Sequence, residues 1–87
     1  TPLSVASRYG HTNIVSKLLA PHLKADINAV DQEGRSPLLF AARYGHIDVA
    51  SLLLQRGAEV DLAGSEGWTP LMYAALNGVD DLVRLLL

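Results

Sequence analysis

The sequence predicts an all-α solenoid in which short helix-turn-helix units stack side by side and are joined by β-hairpin loops. Three observations predict it. A Ser/Thr-Pro-Leu phrase occurs at Thr1-Pro2-Leu3, Ser36-Pro37-Leu38 and Thr69-Pro70-Leu71, at offsets of 35 and 33 residues. Residues 1–19 laid on 36–54 share ten identities, and residues 37–54 laid on 70–87 share nine, where average residue usage gives about one. The helical segments are only eight or nine residues long, too short to persist alone in water because nucleation outweighs so few propagation steps. Such units bury their apolar faces only against the next copy, so each one touches its neighbours in a one-dimensional stack.

Each unit starts on a local signal. Thr1, Ser36 or Thr69 N-caps a helix by accepting a bond from an orphan amide, and the following Pro fits the first helical position, where its missing N–H costs nothing. The run Pro37 to Tyr44 stops at Gly45, with Gly10 and Gly78 at the equivalent places, as expected of a residue that closes a helix in the left-handed conformation. A second helix follows at once. In Ile47 to Gln55 the apolar residues Ile47, Val49, Ala50, Leu52, Leu53 and Leu54 cover most of a short cylinder, which predicts burial on more than one side. Arg56-Gly57 ends it, and Ala58 to Ala63 is expected to run extended to the turn Gly64-Ser65-Glu66-Gly67 before the next cap.

Composition excludes several classes of function. Of 87 residues, 49% are apolar and 18% charged, a globular balance rather than a disordered one. Seven Lys and Arg against nine Asp and Glu leave a net charge of −2, so no basic field exists to gather nucleic acid or an anionic membrane. The absence of Cys removes disulfides, thiolate nucleophiles and Cys-based zinc sites together. Even the longest apolar run, Leu71–Leu76, is too short to span a bilayer. The mean hydropathy of +0.21 is nevertheless high for a small soluble surface.

Catalytic and metal-binding patterns are missing as well. There is no Gly-rich phosphate loop, no His pair at helical ligand spacing and no nucleophile elbow. His11 and His46 recur at the start of the second helix, where an imidazole serves the local turn and packing. His22 lies in a loop and reads as solvent-exposed. Asp80-Asp81 at a helix start reads as a complement to the helix dipole, since Mg²⁺ or Ca²⁺ would need further convergent oxygens. The expectation is a protein without catalytic residues, metal or cofactor.

The run from Asp31 to His46, Asp-Gln-Glu-Gly-Arg-Ser-Pro-Leu-Leu-Phe-Ala-Ala-Arg-Tyr-Gly-His, continued by Leu53-Leu54 and Gly57-Ala58-Glu59, resembles the ankyrin repeat. The resemblance covers the whole chain. It implies an ankyrin-repeat solenoid over residues 1–87, a stack of helix pairs with projecting hairpins. Residues 1–35 form a first unit lacking its leading hairpin and carrying a two-residue insertion in Ala20-Pro21-His22-Leu23-Lys24. Residues 36–68 form the second unit and 69–87 a truncated third. Terminal units of such stacks normally carry a polar outer face, and neither end does. The chain therefore reads as a slice of a longer array, with adjacent repeats in the same chain, and the high mean hydropathy as flanks that neighbours would cover.

Departures from the family pattern carry their own expectations. The family His after Thr-Pro-Leu is replaced by Ser4, Leu39 and Met72, so its hydrogen bonds must be lost or remade. The insertion predicts a bulged loop, with Lys24 standing where the second unit has Gly57. Val79 replaces the His seen at positions 11 and 46, and Gly64 replaces the turn residue Asp31. Asn28 occupies the family's hairpin Asn position, which in some members is hydroxylated.

The resemblance further implies a non-catalytic protein-interaction module, acting inside the cell in cytoplasm or nucleus, that binds a protein partner through hairpin tips and a concave first-helix face, without nucleic acid or direct membrane contact. Carried onto this sequence, the tips are Gln32, Glu33 and Arg35, then Ser65, Glu66 and Trp68. The helical positions are Arg8 and Tyr9, Arg43 and Tyr44, and Leu76 and Asn77. Tyr, Trp and Arg are the types that dominate interface energetics. Two readings stand side by side. Trp68 either meets a partner or lies across the neighbouring hairpin as a cover. The repeated Arg-Tyr pair either grips an acidic or aromatic segment or serves only to stabilise adjacent units. Phe40 and Tyr73 read as core or rim packing. The alternative function is a structural spacer within a larger multidomain protein, any enzymatic activity then residing in another domain.

Overall fold

The computed structural model describes residues 1–87. Six α-helices follow one another in pairs: α1 Pro2–Arg8 with α2 Thr12–Leu18, α3 Pro37–Arg43 with α4 Ile47–Gln55, and α5 Pro70–Asn77 with α6 Asp80–Leu86. The three start signals act as the sequence implies. Thr1 Oγ1 accepts from the Ser4 amide at 3.1 Å, Ser36 Oγ from the Leu39 amide at 3.2 Å and Thr69 Oγ1 from the Met72 amide at 3.2 Å, with Pro in the first turn each time. Each pair is then folded back by one recurring turn. Gly10, Gly45 and Gly78 take φ of 73°, 74° and 67°, and the next amide closes the turn: His11 N to Ala6 O, His46 N to Ala41 O, and Val79 N to Ala74 O, at 2.9, 2.8 and 3.2 Å. A bond from this position back to the last helical turn satisfies carbonyls that would otherwise be orphaned.

The first helices α1, α3 and α5 pack in one row and the second helices α2, α4 and α6 in another. Alanines make the first row possible. Ala6, Ala41, Ala42 and Ala74 are all buried, and side chains this small let neighbouring helices approach to about 8–10 Å. Between the rows lie Leu3, Val15, Leu38, Val49, Leu53 and Leu82. The α4 helix contributes Val49, Ala50 and Leu53 fully and Ile47, Leu52 and Leu54 in part, consistent with a helix enclosed by neighbours on both sides. The molecule measures 35 × 26 × 20 Å.

The hairpin loops contain no strands. Each tip is a turn closed by a single cross-arm backbone bond, Asp31 N to Arg35 O at 3.1 Å and Gly64 N to Trp68 O at 3.1 Å, so the arms are too short for a ladder. The segment expected to run extended from Ala58 instead turns at Val60–Asp61. The insertion in the first unit forms a 3-10 turn at Pro21–Leu23, and Lys24 follows it at φ 51°, in the left-handed conformation that its counterpart Gly57 adopts at φ 92°.

The position of the missing family His is filled differently in each unit. In the first, the Thr1 hydroxyl donates to Ser4 Oγ at 3.0 Å. In the second, Leu39 is buried beneath Gly64, where a Cβ would lie 3.2 Å from Leu39 Cδ2. That approach explains why Gly stands where the preceding tip has Asp31. In the third, Met72 is half-exposed.

Candidate interaction face

The first-helix row places the same two positions of each unit next to one another. Arg8 and Tyr9 end α1, Arg43 and Tyr44 end α3, and Leu76 and Asn77 end α5. Because the copies are stacked, each arginine reaches forward into the next unit. The Arg8 guanidinium carbon lies 5.4 Å from the Tyr9 ring centre and 5.5 Å from that of Tyr44. Arg43 repeats the arrangement at 5.5 Å from Tyr44 and 5.8 Å from Tyr73. These distances fall within the range of cation–π attraction. Tyr73 extends the series to the second tip, its ring 5.0 Å from Trp68 and tilted by 32°. At the other end Tyr9 stacks on His11 at 6.3 Å. A continuous line of rings and guanidiniums therefore crosses all three units.

Hydrogen bonds between units hold this line in register. His46 Nε2 donates to the Arg8 carbonyl at 2.9 Å, and Asn77 Nδ2 donates to the Arg43 carbonyl at 2.7 Å. On the hairpin side, Ser65 N donates to Glu33 O at 2.8 Å and Glu59 N to Asn28 Oδ1 at 2.9 Å.

The tip residues divide into held and free. Asp31 Oδ1 accepts from the amides of Glu33 and Arg35, each at 2.9 Å, while Oδ2 pairs with Arg35 Nε at 3.1 Å. Desolvation pushes the Asp31 carboxyl up, but the two amides and the guanidinium together outweigh it and hold its pKa below the ordinary value. Arg35 shows the converse. Desolvation lowers its pKa, and Asp31 and Glu33 more than reverse that, so it lies above the ordinary value. Arg35 Nη2 also meets Glu33 at 2.7 Å, and its guanidinium covers the Phe40 ring at 5.3 Å. The tip arginine is thus engaged both by its own tip and by the helix that follows it.

Gln32, Glu33, Ser65 and Glu66 are exposed, and Trp68 is half-buried against Tyr73. Along the helices Tyr9 is 58% exposed, Tyr44 42% and Leu76 67%. Arg8 and Asn77 are exposed and Arg43 is half-buried. Tyr73, read from the repeat as core or rim packing, is half-buried and packed against the core, with its ring also on Trp68. No three His, Asp or Glu side chains converge closely enough to hold a metal ion. No helix is long and apolar enough to cross a membrane.

A family model described as ankyrin repeats (3 copies) matches residues 3–87. Among curated proteins, the chain is similar to the transient receptor potential cation channel subfamily A member 1 of Drosophila melanogaster, with 45% identity over 58 residues, 67% of this chain and 5% of that protein. It is similar also to the Homo sapiens protein of the same name, with 40% identity over 62 residues, 71% of this chain and 5% of that protein. The chain thus spans about 5% of the length of these relatives.

Proposed function

The chain belongs to the ankyrin-repeat family, and from that premise we propose that it is a rigid protein-interaction module without chemistry of its own, which holds a protein partner on the first-helix face and the hairpin tips. The observation that carries this reading is the exposure of Tyr9, Tyr44 and Leu76 on one row while the arginines beside them are fixed by neighbouring rings. Aromatic side chains held in place contribute large contact area at low conformational cost. Trp68 extends the surface to the tip through Tyr73.

Peptides selected from a displayed library on the full protein test the proposal. Tyr44→Ala and Trp68→Ala are expected to weaken the selected peptides about tenfold or more, as interface anchors do, with the melting transition retained. Lost thermal stability with unchanged affinity would assign both residues to the stack alone.

A second reading is a spacer within a larger protein, and the relatives favour it: both are named as cation channels, and the matched stretch is a small part of each. On this reading the ring-and-guanidinium line stiffens the array. A Tyr44→Ala change would then lower stability and leave every selected peptide bound.

A further inference from the structure

We propose that the partner segment taken by the first-helix face is acidic and extended, with carboxylates about three residues apart that sit on Arg8 and Arg43 and apolar side chains between them. This rests on the interaction reading above and names the partner's chemistry.

The first argument is charge segregation. The chain carries nine acidic residues and a net charge of −2, yet α1, α3 and α5 contain no Asp or Glu. Every carboxylate lies in a loop or in the first turn of α4 or α6. A row that excludes acids in an acidic protein, and keeps two arginines, presents local positive potential against the sign of the whole. Complementary potentials of this kind select partners and register.

The second argument is unspent hydrogen-bonding capacity. Arg35 and Arg84 have carboxylate partners. Arg8 and Arg43 have none, and their guanidinium groups donate to no acceptor in the chain. Each is instead flanked by two rings. Contact with rings limits the freedom of the guanidinium and leaves its N–H edges for an incoming acceptor. Those edges match a carboxylate as a two-pronged fork.

The third argument is spacing. Stacked helices lie about 8–10 Å apart, and an extended chain in the polyproline II form advances about 3.1 Å per residue with three residues per turn, so that side chains three apart share one side at a spacing of about 9 Å. Carboxylates three residues apart on an extended segment therefore meet successive arginines. The two largest clefts, about 460 Å³ each, lie at the start of α2 and between the C-terminal ends of α4 and α6, and neither is lined by Arg8 or Arg43. A smaller cleft of about 160 Å³ opens beside Arg8 and is lined by Val5 and Phe40. Val5 is 57% exposed, so an apolar side chain next to the carboxylate gains contact there. Asp31 borders this cleft, but its oxygens are taken by Arg35 and two amides. Glu33 and Glu66 on the tips repel acids, which directs them to the helices.

The test uses the full protein and fluorescein-labelled Glu-Phe-Ala-Glu-Phe-Ala-Glu, with versions carrying Gln or Lys in place of every Glu, read by fluorescence anisotropy. The Glu peptide is expected to bind about tenfold tighter than the Gln peptide, as charge-assisted pairing to two arginines allows, and to weaken as salt rises from about 50 to about 500 mM. Arg8→Gln with Arg43→Gln should abolish the preference, the paired Lys substitutions should retain part of it, and Arg56→Gln should leave it intact. Melting curves for each variant separate lost binding from lost folding. Equal binding of the Glu and Gln peptides, tighter binding of the Lys peptide, or a preference that survives loss of both arginines overturns the acidic assignment. If a Gln or Lys peptide still shifts the Tyr9 and Tyr44 ring resonances, the interaction reading stands and only its acidic form falls. If none of the three shifts them, both fall.

Discussion

Asn77 donates from Nδ2 to the carbonyl oxygen of Arg43 at 2.7 Å, and it thereby does at the second junction what His46 does for Arg8 at the first. Both acceptors are last-turn carbonyls, which have no partner within their own helix. The side chains come from different positions in the repeat. Val79 stands where His46 would be, beside Gly45 as His46 stands beside Gly10, and an aliphatic side chain cannot donate. Asn77, two residues earlier, reaches the same oxygen.

Asn77→Ala is expected to cost about 0.5–1.5 kcal/mol, the usual net worth of one hydrogen bond, measured by chemical denaturation. Adding Val79→His should recover most of that loss, because the imidazole would enter the niche that His46 occupies one unit earlier. A double variant no more stable than Asn77→Ala would show that the two junctions are not equivalent.

Replacing glycine by alanine at the recurring turn should separate backbone strain from crowding. At Gly10 the left-handed φ is joined by a clash, since a Cβ would lie 2.6 Å from His46 Nδ1. At Gly45 the nearest atom is Val79 Cγ2 at 3.8 Å, an ordinary contact, and at Gly78 nothing lies within 4 Å. Each variant carries a strain cost of about 1–2 kcal/mol. Gly10→Ala should exceed the other two, with loss of the His46–Arg8 bond visible in the imidazole resonances.

Lys24→Gly is expected to stabilise the protein. Lys24 is the only non-glycine residue at positive φ, and relief of its steric penalty outweighs the added freedom of the unfolded chain, for a net gain of about 0.5–1 kcal/mol. A higher denaturation midpoint with unchanged slope would show it. Lower stability would mean that the lysine side chain contributes more than its backbone costs.

Asp31 sets a pH dependence of known sign. Its folded pKa lies below the ordinary 3.8, so its contribution is fully present above that value and is lost as pH falls through the folded pKa. The stability difference between the protein and Asp31→Asn should therefore be constant near neutrality and shrink in acid below about pH 4. Denaturation curves across that range check it, and a difference that widened in acid would reverse the assignment.

The helices and their turns were legible because their causes are local. Ser36, Pro37 and Gly45 mark the ends of one helix within ten residues of one another, and the repeat confirms the reading by restating it. The neighbouring Arg-Tyr copies were legible for the same reason, since stacking a repeat aligns equal positions. The bonds between units were not. His46 and Arg8 are 38 residues apart, Asn77 and Arg43 34, and Asn28 and Glu59 31. None of these separations equals the repeat offset of 35 or 33, because each bond joins unequal positions whose meeting depends on the lateral shift between stacked units. The close approach of the tips at Gly34 and Gly64 was hidden by the same shift, as was the contact of Gly64 with Leu39.

The ring contact between Trp68 and Tyr73 also gives the molecule a built-in optical gauge. Trp68 is the only indole in the chain, and at 5.0 Å from Tyr73 it straddles the joint between the second tip and α5. Stacked arrays open locally before they melt as a whole. Its emission therefore registers detachment of α5 from that tip, whereas far-ultraviolet dichroism averages all six helices, and the interval between the two signals measures how independently one end of the stack can let go.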